Sequence, residues 1–374
     1  MAEALTEGAD FYREGAFIVF TEAYLRRRGY CCESGCRHCP YGFKRTKETA
    51  LRILLSTTSF QDTPGAHHDV LAKSGFEIVR ARGPLNEQQM LDLIKSSGGF
   101  DGLLNGDDAL NARVIDALLA APTKLKVIAK YGIGLDSIDV KHATSKKIPV
   151  LFTPGVNETT VAEQTIGLMI ALAKHFYPHI KATRAGTWKR QTGCEIFGKT
   201  LGLIGMGRIG KETAKRALAM GMKIVAFGNY WDDQFAREYP IERKKTIADV
   251  LEAADVVSLH THVSDQTRGM INKDTIAIMK PKALLINTAR GALIVEQDVA
   301  DACKSGRLWG YATDVLEIEP IKAPHIFQEI DNIIVTPHIG SRTNESVERQ
   351  GLRAAKNIVN FLNGDKDYVQ ANAF

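Results

Sequence analysis

The stretch LGLIGMGRIG, residues 201–210, constrains this chain more than any other. Apolar residues that read as a strand run into Gly205, Gly207 and Gly210 in G-x-G-x-x-G spacing. ETAKRALAM follows, with helical composition. A strand, a glycine turn and a helix start together make a phosphate cradle. The first glycine permits the tight turn, the second lets a pyrophosphate approach the backbone, and the third lets helix and strand pack closely. The N–H groups and dipole of the helix start favour the anion. Dinucleotide binding is therefore the first expectation, with Arg208 and Ile209 inside the same turn.

The rest of the chain has to supply a scaffold for that turn. With 374 residues it is long enough for two or three domains. At 44% hydrophobic and 24% charged, it has the composition of a folded globular protein. Net charge is +5, and Arg26-Arg27-Arg28 reads as a solvated helix face, so no nucleic-acid partner is expected. The start, MAEALTEGAD, lacks a basic segment leading into an apolar core, and IGLMIALA is far too short to span a bilayer. These features predict a cytoplasmic protein with no membrane partner.

Strand-like runs alternate with helical ones along two stretches. RILLSTT, FEIVRAR, DGLLNG, KVIAKYG and PVLFT form the first set of strands. MKIVAF, DVVSLH, ALLINT, WGYATDV and NIIVT extend the sheet that LGLIG begins. Alternation with short loops predicts doubly wound parallel sheets, with ligands at the carboxyl ends of the strands. TTVAEQTIGLMIALAKHFYPHIKATRAG reads as one long helix crossing between the two layers, and the run from Thr343 to Leu362 as a helix returning to the first. Tyr131-Gly132-Ile133-Gly134 would offer backbone N–H groups to a small acid. Three polar residues follow strands of the second layer: Arg290 after ALLINTA, Glu319 after WGYATDVLEI, His338 after NIIVTP. Oxidising an alcohol needs a base that titrates near neutrality, a carboxylate to orient it, and a cation to grip an acid. His, Glu and Arg supply these in turn.

Of six cysteines, Cys31, Cys32, Cys36 and Cys39 crowd into nine residues near the start. Cys32, Cys36 and Cys39 have spacing suited to zinc or an iron–sulfur cluster, and reduced structural thiols are the alternative. This segment resembles a small cysteine-rich family of unknown function, which brings no activity with it.

From about residue 51 onward the chain resembles the D-isomer-specific 2-hydroxyacid dehydrogenases. The resemblance lies in YGIGLDSID, TPGVNETTVAEQTIGLMIALAK, GKTLGLIGMGRIGKETAKRA, SLHTHVSDQTRGMIN, MKPKALLINTARGALIVEQDVADAC, GYATDVLEIEP and NIIVTPHIGSRT. It implies a flavodoxin-like substrate domain from 48–154 and 343–374, a Rossmann cofactor domain over 155–342, and a separate module at 1–47. It implies Arg290 as substrate anchor, Glu319 as orienting acid and His338 as general acid/base. Glu319 stands 29 residues after Arg290, as in that family. The implied cofactor is NAD or NADP, held by Gly205, Gly207, Arg208, Ile209, Gly210, Gly228, Asn229, His260, Thr267, Thr288, Ala289, Asp314 and Gly340. Asp314 would hold the nicotinamide carboxamide, with Thr288 and Arg290 at its rim. The partner is a small 2-oxo or 2-hydroxy acid, received at Tyr131–Gly134, and the family usually forms homodimers through the cofactor domain. Some relatives of this fold are non-catalytic dinucleotide sensors or corepressors, which is the alternative reading.

Three departures stand out. Gly228 ends the second cofactor-domain strand, where an Asp commonly holds the adenosine ribose, so NADP stays open beside NAD. His262 stands where Pro is frequent. Asn105-Gly106-Asp107 stands where phosphoglycerate-specific members carry a basic phosphate grip, with Lys130 the nearby cation. This favours glyoxylate or hydroxypyruvate over a phosphorylated acid.

Overall fold

The protein is described here from a computed structural model covering residues 5–15, 17–32, 36–42 and 50–374. It divides into two compact units, one of Met1–Leu51 with Gly75–Glu77, the other of Arg52–Ser74 with Ile78–Phe374.

In the smaller unit β1 (Phe11–Glu14) pairs antiparallel with β2 (Phe17–Phe20), Phe11 opposite Phe20. The helix Glu22–Arg28 follows. Thr21 caps it by accepting the Tyr24 N–H, and Gly29 ends it at φ +83°, a conformation glycine adopts without strain. The three arginines are all engaged inside the module. Arg26 binds Glu22, Arg27 binds Asp10, and Arg28 donates to the Tyr30 carbonyl while stacking on its ring.

The larger unit contains two sheets. Strands β3 (Arg52–Leu55), β4 (Glu77–Arg80), β5 (Gly102–Asn105), β6 (Val127–Lys130) and β7 (Val150–Leu151) form the first, in the order β4-β3-β5-β6-β7. The second holds β8 (Thr200–Ile204), β9 (Lys223–Phe227), β10 (Ile241–Arg243), β11 (Val256–Leu259), β12 (Ala283–Asn287), β13 (Leu308–Thr313) and β14 (Ile333–Val335). Its order is β10-β9-β8-β11-β12-β13-β14, with parallel pairing throughout. The first order is the flavodoxin type and the second the Rossmann type with an added strand. Every residue of β5, β6, β11 and β12 is buried, which explains why these strands read as continuous apolar runs rather than alternating ones.

In each sheet the strand order reverses once, at β3/β5 and at β8/β11. Crevices open at the carboxyl ends of those pairs. Ser56 and Asn105 lie at the first crevice, Gly205 and His260 at the second.

The expected single long helix is two. Glu158–Ala173 and Phe176–Arg184 are separated by His175, which takes a left-handed φ of +53°. Pro178 explains the break: it lacks an N–H and suits the first turn of a new helix, not the interior of an old one. The first of these helices packs on the helix Arg208–Ala219 and on β12 and β13. Sequence periodicity also missed β10, which has three residues, of which Ile241 alone is buried.

The C-terminal helix Asn344–Asn363 lies across the flavodoxin-type sheet, capped by Thr343. Ile358 packs over Gly102 on β5, and no side chain would fit there without moving a neighbour. Asn357, fully buried, donates to the Phe152 carbonyl at 2.8 Å and accepts the Val369 N–H at 3.2 Å. It thereby joins helix, strand end and C-terminal tail. Replacing Asn357 by Leu keeps the volume but strands both backbone groups. The expected cost is about 1–3 kcal/mol for each group left unpaired, read as a lower urea midpoint with an unchanged m-value.

Candidate active site

The glycine turn is built as the spacing predicts. Gly205 leaves β8 at φ +109°, and a Cβ there would lie 2.3 Å from the His260 carbonyl oxygen. A Cβ on Gly210 would lie 2.2 Å from the Gly205 carbonyl oxygen. A Cβ on Gly207 would meet nothing within 4 Å, so the middle of the turn is open for a ligand to approach the backbone. The helix Arg208–Ala219 starts immediately after it. Closed glycines on both sides of an open one fit a dinucleotide pyrophosphate.

His260 follows β11 with its Nε2 2.9 Å from the Ser258 hydroxyl, and burial pushes its pKa down to about 4. It is therefore a neutral wall residue at physiological pH. Thr267 closes its own turn by donating to the His262 carbonyl. The Thr288 hydroxyl meets that of Thr165 at 2.8 Å, on the helix Glu158–Ala173. Gly228 and the exposed Asn229 follow β9, leaving that strand end without a carboxylate.

Arg290, Glu319 and His338 are brought together by three separate strand ends of the Rossmann-type sheet. Asn287, fully buried at the end of β12, clamps the turn that carries Arg290. Its amide donates to the Arg290 carbonyl and accepts the Ala289 N–H. Gly291 lets this turn press on Leu316 and Glu317, where a Cβ would lie 2.0 Å from the Leu316 carbonyl carbon. Glu319 then accepts the Leu316 N–H at 2.9 Å with one oxygen and meets His338 Nδ1 at 2.8 Å with the other. Nε2 of His338 is left facing outward from that pair. The hydrogen bond to Glu319 raises the His338 pKa above its ordinary value, burial opposes it, and the charges of Asp107 and Asp314 add to the rise.

Asp314 is anchored within the protein. Its carboxylate accepts the Thr336 hydroxyl at 2.5 Å, the Ile339 N–H at 3.0 Å and the Gly340 N–H at 2.6 Å. The Asp314 carbonyl also accepts the His338 N–H at 2.9 Å. His338 itself holds a left-handed φ of +52°, uncommon for a residue with a side chain. Asp314 holds the turn in which that conformation occurs.

Across from this cluster lies the loop after β6. The Tyr131 ring lies edge-on to Phe60, and its buried hydroxyl has no hydrogen-bond partner among the described residues. The Gly132 N–H donates to the Thr153 hydroxyl at 3.1 Å. Gly134 is packed against Arg290: a Cβ there would lie 1.8 Å from an Arg290 terminal nitrogen. Asp136 completes the contact, accepting from Arg290 Nε at 2.8 Å. Sequence reading missed Asp136, although YGIGLDSID contains it. Nothing in that stretch says which cation on the other sheet it will meet.

In the smaller unit the cysteines lie in close sulfur contacts. Cys32 lies 3.5 Å from Cys36, and Cys39 lies 3.9 Å from Cys31, sulfur to sulfur. Among the described residues no three His, Cys, Asp or Glu side chains converge on a metal position. None of the described helices is long and apolar enough to cross a membrane.

Comparison with known proteins bears on both units. Residues 166–340 match the NAD-binding domain of the D-isomer specific 2-hydroxyacid dehydrogenases, and residues 1–45 match a family of unknown function. A hydroxypyruvate reductase of Thermotoga maritima is 40% identical over 251 residues, which are 66% of this chain and 80% of that protein. The chain belongs to the D-isomer specific 2-hydroxyacid dehydrogenases. A glyoxylate reductase of Thermofilum pendens is another relative in this family, 37% identical over 75% of this chain and 83% of its own length. A D-3-phosphoglycerate dehydrogenase of Methanocaldococcus jannaschii is 40% identical over 77% of this chain, but the match spans only 54% of that protein. Among solved structures, a glyoxylate reductase from Paecilomyes thermophila superposes with a TM-score of 0.74 at 29% identity, over 86% of this chain and 98% of its own.

For this dehydrogenase the Glu319–His338 bond makes a direct prediction. A group whose pKa is raised stays protonated to higher pH. Replacing Glu319 by Gln keeps an acceptor for Nδ1–H and removes the charge. In an NMR titration the His338 resonances should therefore move at lower pH in the variant than in the wild type.

Proposed function

We propose that the chain catalyses reversible hydride transfer between NAD(P)H and a small, unphosphorylated 2-oxo acid of the glyoxylate or hydroxypyruvate kind. The observation that carries this reading is the gathering of Arg290, Glu319 and His338 from three strand ends of the sheet whose first strand carries the glycine turn. The alternative, a dinucleotide sensor without turnover, gives no reason to keep an imidazole oriented by a carboxylate with its outer nitrogen facing out.

The cofactor's pyrophosphate would sit on Gly205, Gly207, Arg208, Ile209 and Gly210, its adenosine ribose by Gly228 and Asn229. His260, Thr267, Thr288, Ala289, Asp314 and Gly340 would border the nicotinamide. When bound, the nicotinamide supplies or accepts the hydride. Everything else falls to the chain's own residues. Arg290 grips the acid with the guanidinium edge that Asp136 and the Ala289 carbonyl leave unused. The N–H groups of Ile133 and Gly134 add donors on the opposite side. In reduction His338 gives the proton on Nε2 to the carbonyl oxygen, and Glu319 balances the imidazolium before transfer. In oxidation neutral His338 takes that proton back. Because its pKa is raised, reduction should persist to higher pH than an ordinary histidine allows. Gly228 places no carboxylate against a 2′-phosphate, so NADP is admitted beside NAD, with NAD favoured.

The remaining parts of the reading concern organisation. Residues 48–154 and 343–374 act as the substrate domain and 155–342 as the cofactor domain, supported by the C-terminal helix lying on the flavodoxin-type sheet. The apolar side chains Phe176, Tyr177, Ile180, Trp188 and Phe197 are exposed on the cofactor-domain side, which suits a homodimer. For the amino-terminal module, sulfur separations of 3.5 and 3.9 Å bracket the edge of about 3.8 Å that a tetrahedral site with bonds of about 2.3 Å requires. A zinc or iron centre there would draw the two thiol pairs onto one ion. Metal analysis of the full chain against Cys36→Ser and Cys39→Ser checks it, and equal metal in all three would end that reading.

The deciding experiment is steady-state turnover of glyoxylate and hydroxypyruvate with NADH and NADPH, on wild type and His338→Ala. The variant should lose at least about a hundredfold in kcat. Its cofactor Kd, read by fluorescence, should stay within about threefold. Absence of turnover in the wild type, or parallel loss of turnover and cofactor binding in the variant, would overturn the assignment.

A further inference from the structure

The crevice of the flavodoxin-type sheet holds a charge arrangement that the reaction does not use. The loop after β5, Asn105-Gly106-Asp107-Asp108, is built rigidly. Asp108, fully buried, accepts the Ser56 hydroxyl at 2.5 Å and the Leu85 N–H at 2.8 Å. The buried Asn105 donates to the Gly106 carbonyl. Asp107 is thereby presented outward, its side chain 74% exposed.

Beneath it, at the end of β6, lies Lys130, whose side chain is 4% exposed. Its ammonium donates to the Gly106 carbonyl at 2.5 Å and to Asp107 Oδ1 at 2.6 Å. A buried ammonium needs a partner, and this one has both a carbonyl and a carboxylate. The cation at this wall is therefore neutralised before any substrate arrives, and the outermost group is a carboxylate. That carboxylate lies close enough to His338 and Arg290 for the charges of both to act on it.

We propose that Asp107 is the substrate-selecting residue of this cleft. It masks Lys130 and sets a carboxylate against the far end of the bound acid. The cleft so built takes a 2-oxo acid ending in a hydrogen or a hydroxyl and turns away one ending in a phosphoryl group. A terminal hydroxyl donates to Asp107, whereas a phosphoryl dianion meets a like charge and finds Lys130 already bound. This inference rests on the reading of the chain as a 2-oxo acid reductase.

The test uses the full chain with its cofactor and compares substrates within each variant. Losing Asp107 also removes a charge that acts on His338, and that effect is common to all substrates and cancels in the ratio. Asp107→Ser should raise kcat/KM for 3-phosphohydroxypyruvate relative to glyoxylate by about tenfold or more. Hydroxypyruvate relative to glyoxylate should fall. Adding Lys130→Met to Asp107→Ser should abolish the phosphoryl gain, which a merely loosened loop would not do. A calorimetric titration with 3-phosphoglycerate, which needs no turnover, should show binding to Asp107→Ser at least about tenfold tighter than to wild type. Unchanged ratios with unchanged 3-phosphoglycerate affinity would overturn the role of Asp107, as would a wild type that prefers the phosphorylated acid. A wild type that turns over none of the three acids would sink the reductase reading, and the calorimetric arm would still decide whether Asp107 repels phosphate.

Discussion

The candidate site depends on one buried carboxylate. Asp314 lies just beyond β13 and spends both oxygens on the segment after β14, where it takes a hydroxyl and two backbone N–H groups. Those bonds hold a turn in which His338 has a left-handed backbone. Such a conformation costs of order 1–3 kcal/mol for a residue with a side chain and persists only where surroundings enforce it. With it, Nδ1 reaches Glu319 and the outer nitrogen points away. An extended backbone at 338 would aim the imidazole elsewhere, and neither Glu319 nor Arg290 would then have a partner for chemistry. The acid that positions the base is therefore not only the one bonded to its ring. A second acid, bonded to the backbone around it, decides where the ring is.

That division of labour also bears on how much was legible in the residues alone. The glycine turn was readable because its requirements are local: Gly205 and Gly210 have no room for a side chain, and spacing alone reports this. Buried strands were readable because both faces are covered, so apolar runs mark them. Arg290, Glu319 and His338 could be picked out because each follows a strand, and parallel sheets put all such positions at one end. The internal bonds of Asp314 were not legible, because a polar residue at a strand end looks the same whether it binds a cofactor, its own chain or both. Asp136 went unseen for a related reason. Its partner is 154 residues away, and pairing at that separation is decided by how two sheets face each other. The break at His175 was hidden by an apolar run that stays helical in composition on both sides.

Charge placement around the cleft follows a consistent rule once both sheets are considered. Three cations near the reacting position each have a fixed acidic partner from another segment: Arg290 has Asp136, Lys130 has Asp107, and His338 has Glu319. The three pairs differ in what remains after pairing. Arg290 is a fork, so a carboxylate on Nε and a carbonyl on one terminal nitrogen leave donors for a second acid. His338 keeps one ring nitrogen. Lys130 is a buried point charge, and two short contacts exhaust most of its capacity. The same pairing that orients an arginine therefore silences a lysine. It follows that Arg290 keeps donors for an incoming carboxylate, whereas Lys130 keeps few. The loop after β5 presents Asp107, and a ligand with a second negative group meets a like charge there. Selectivity of this kind needs no extra contact to the preferred substrate. It comes from the geometry of two side chains that hold different numbers of hydrogen bonds.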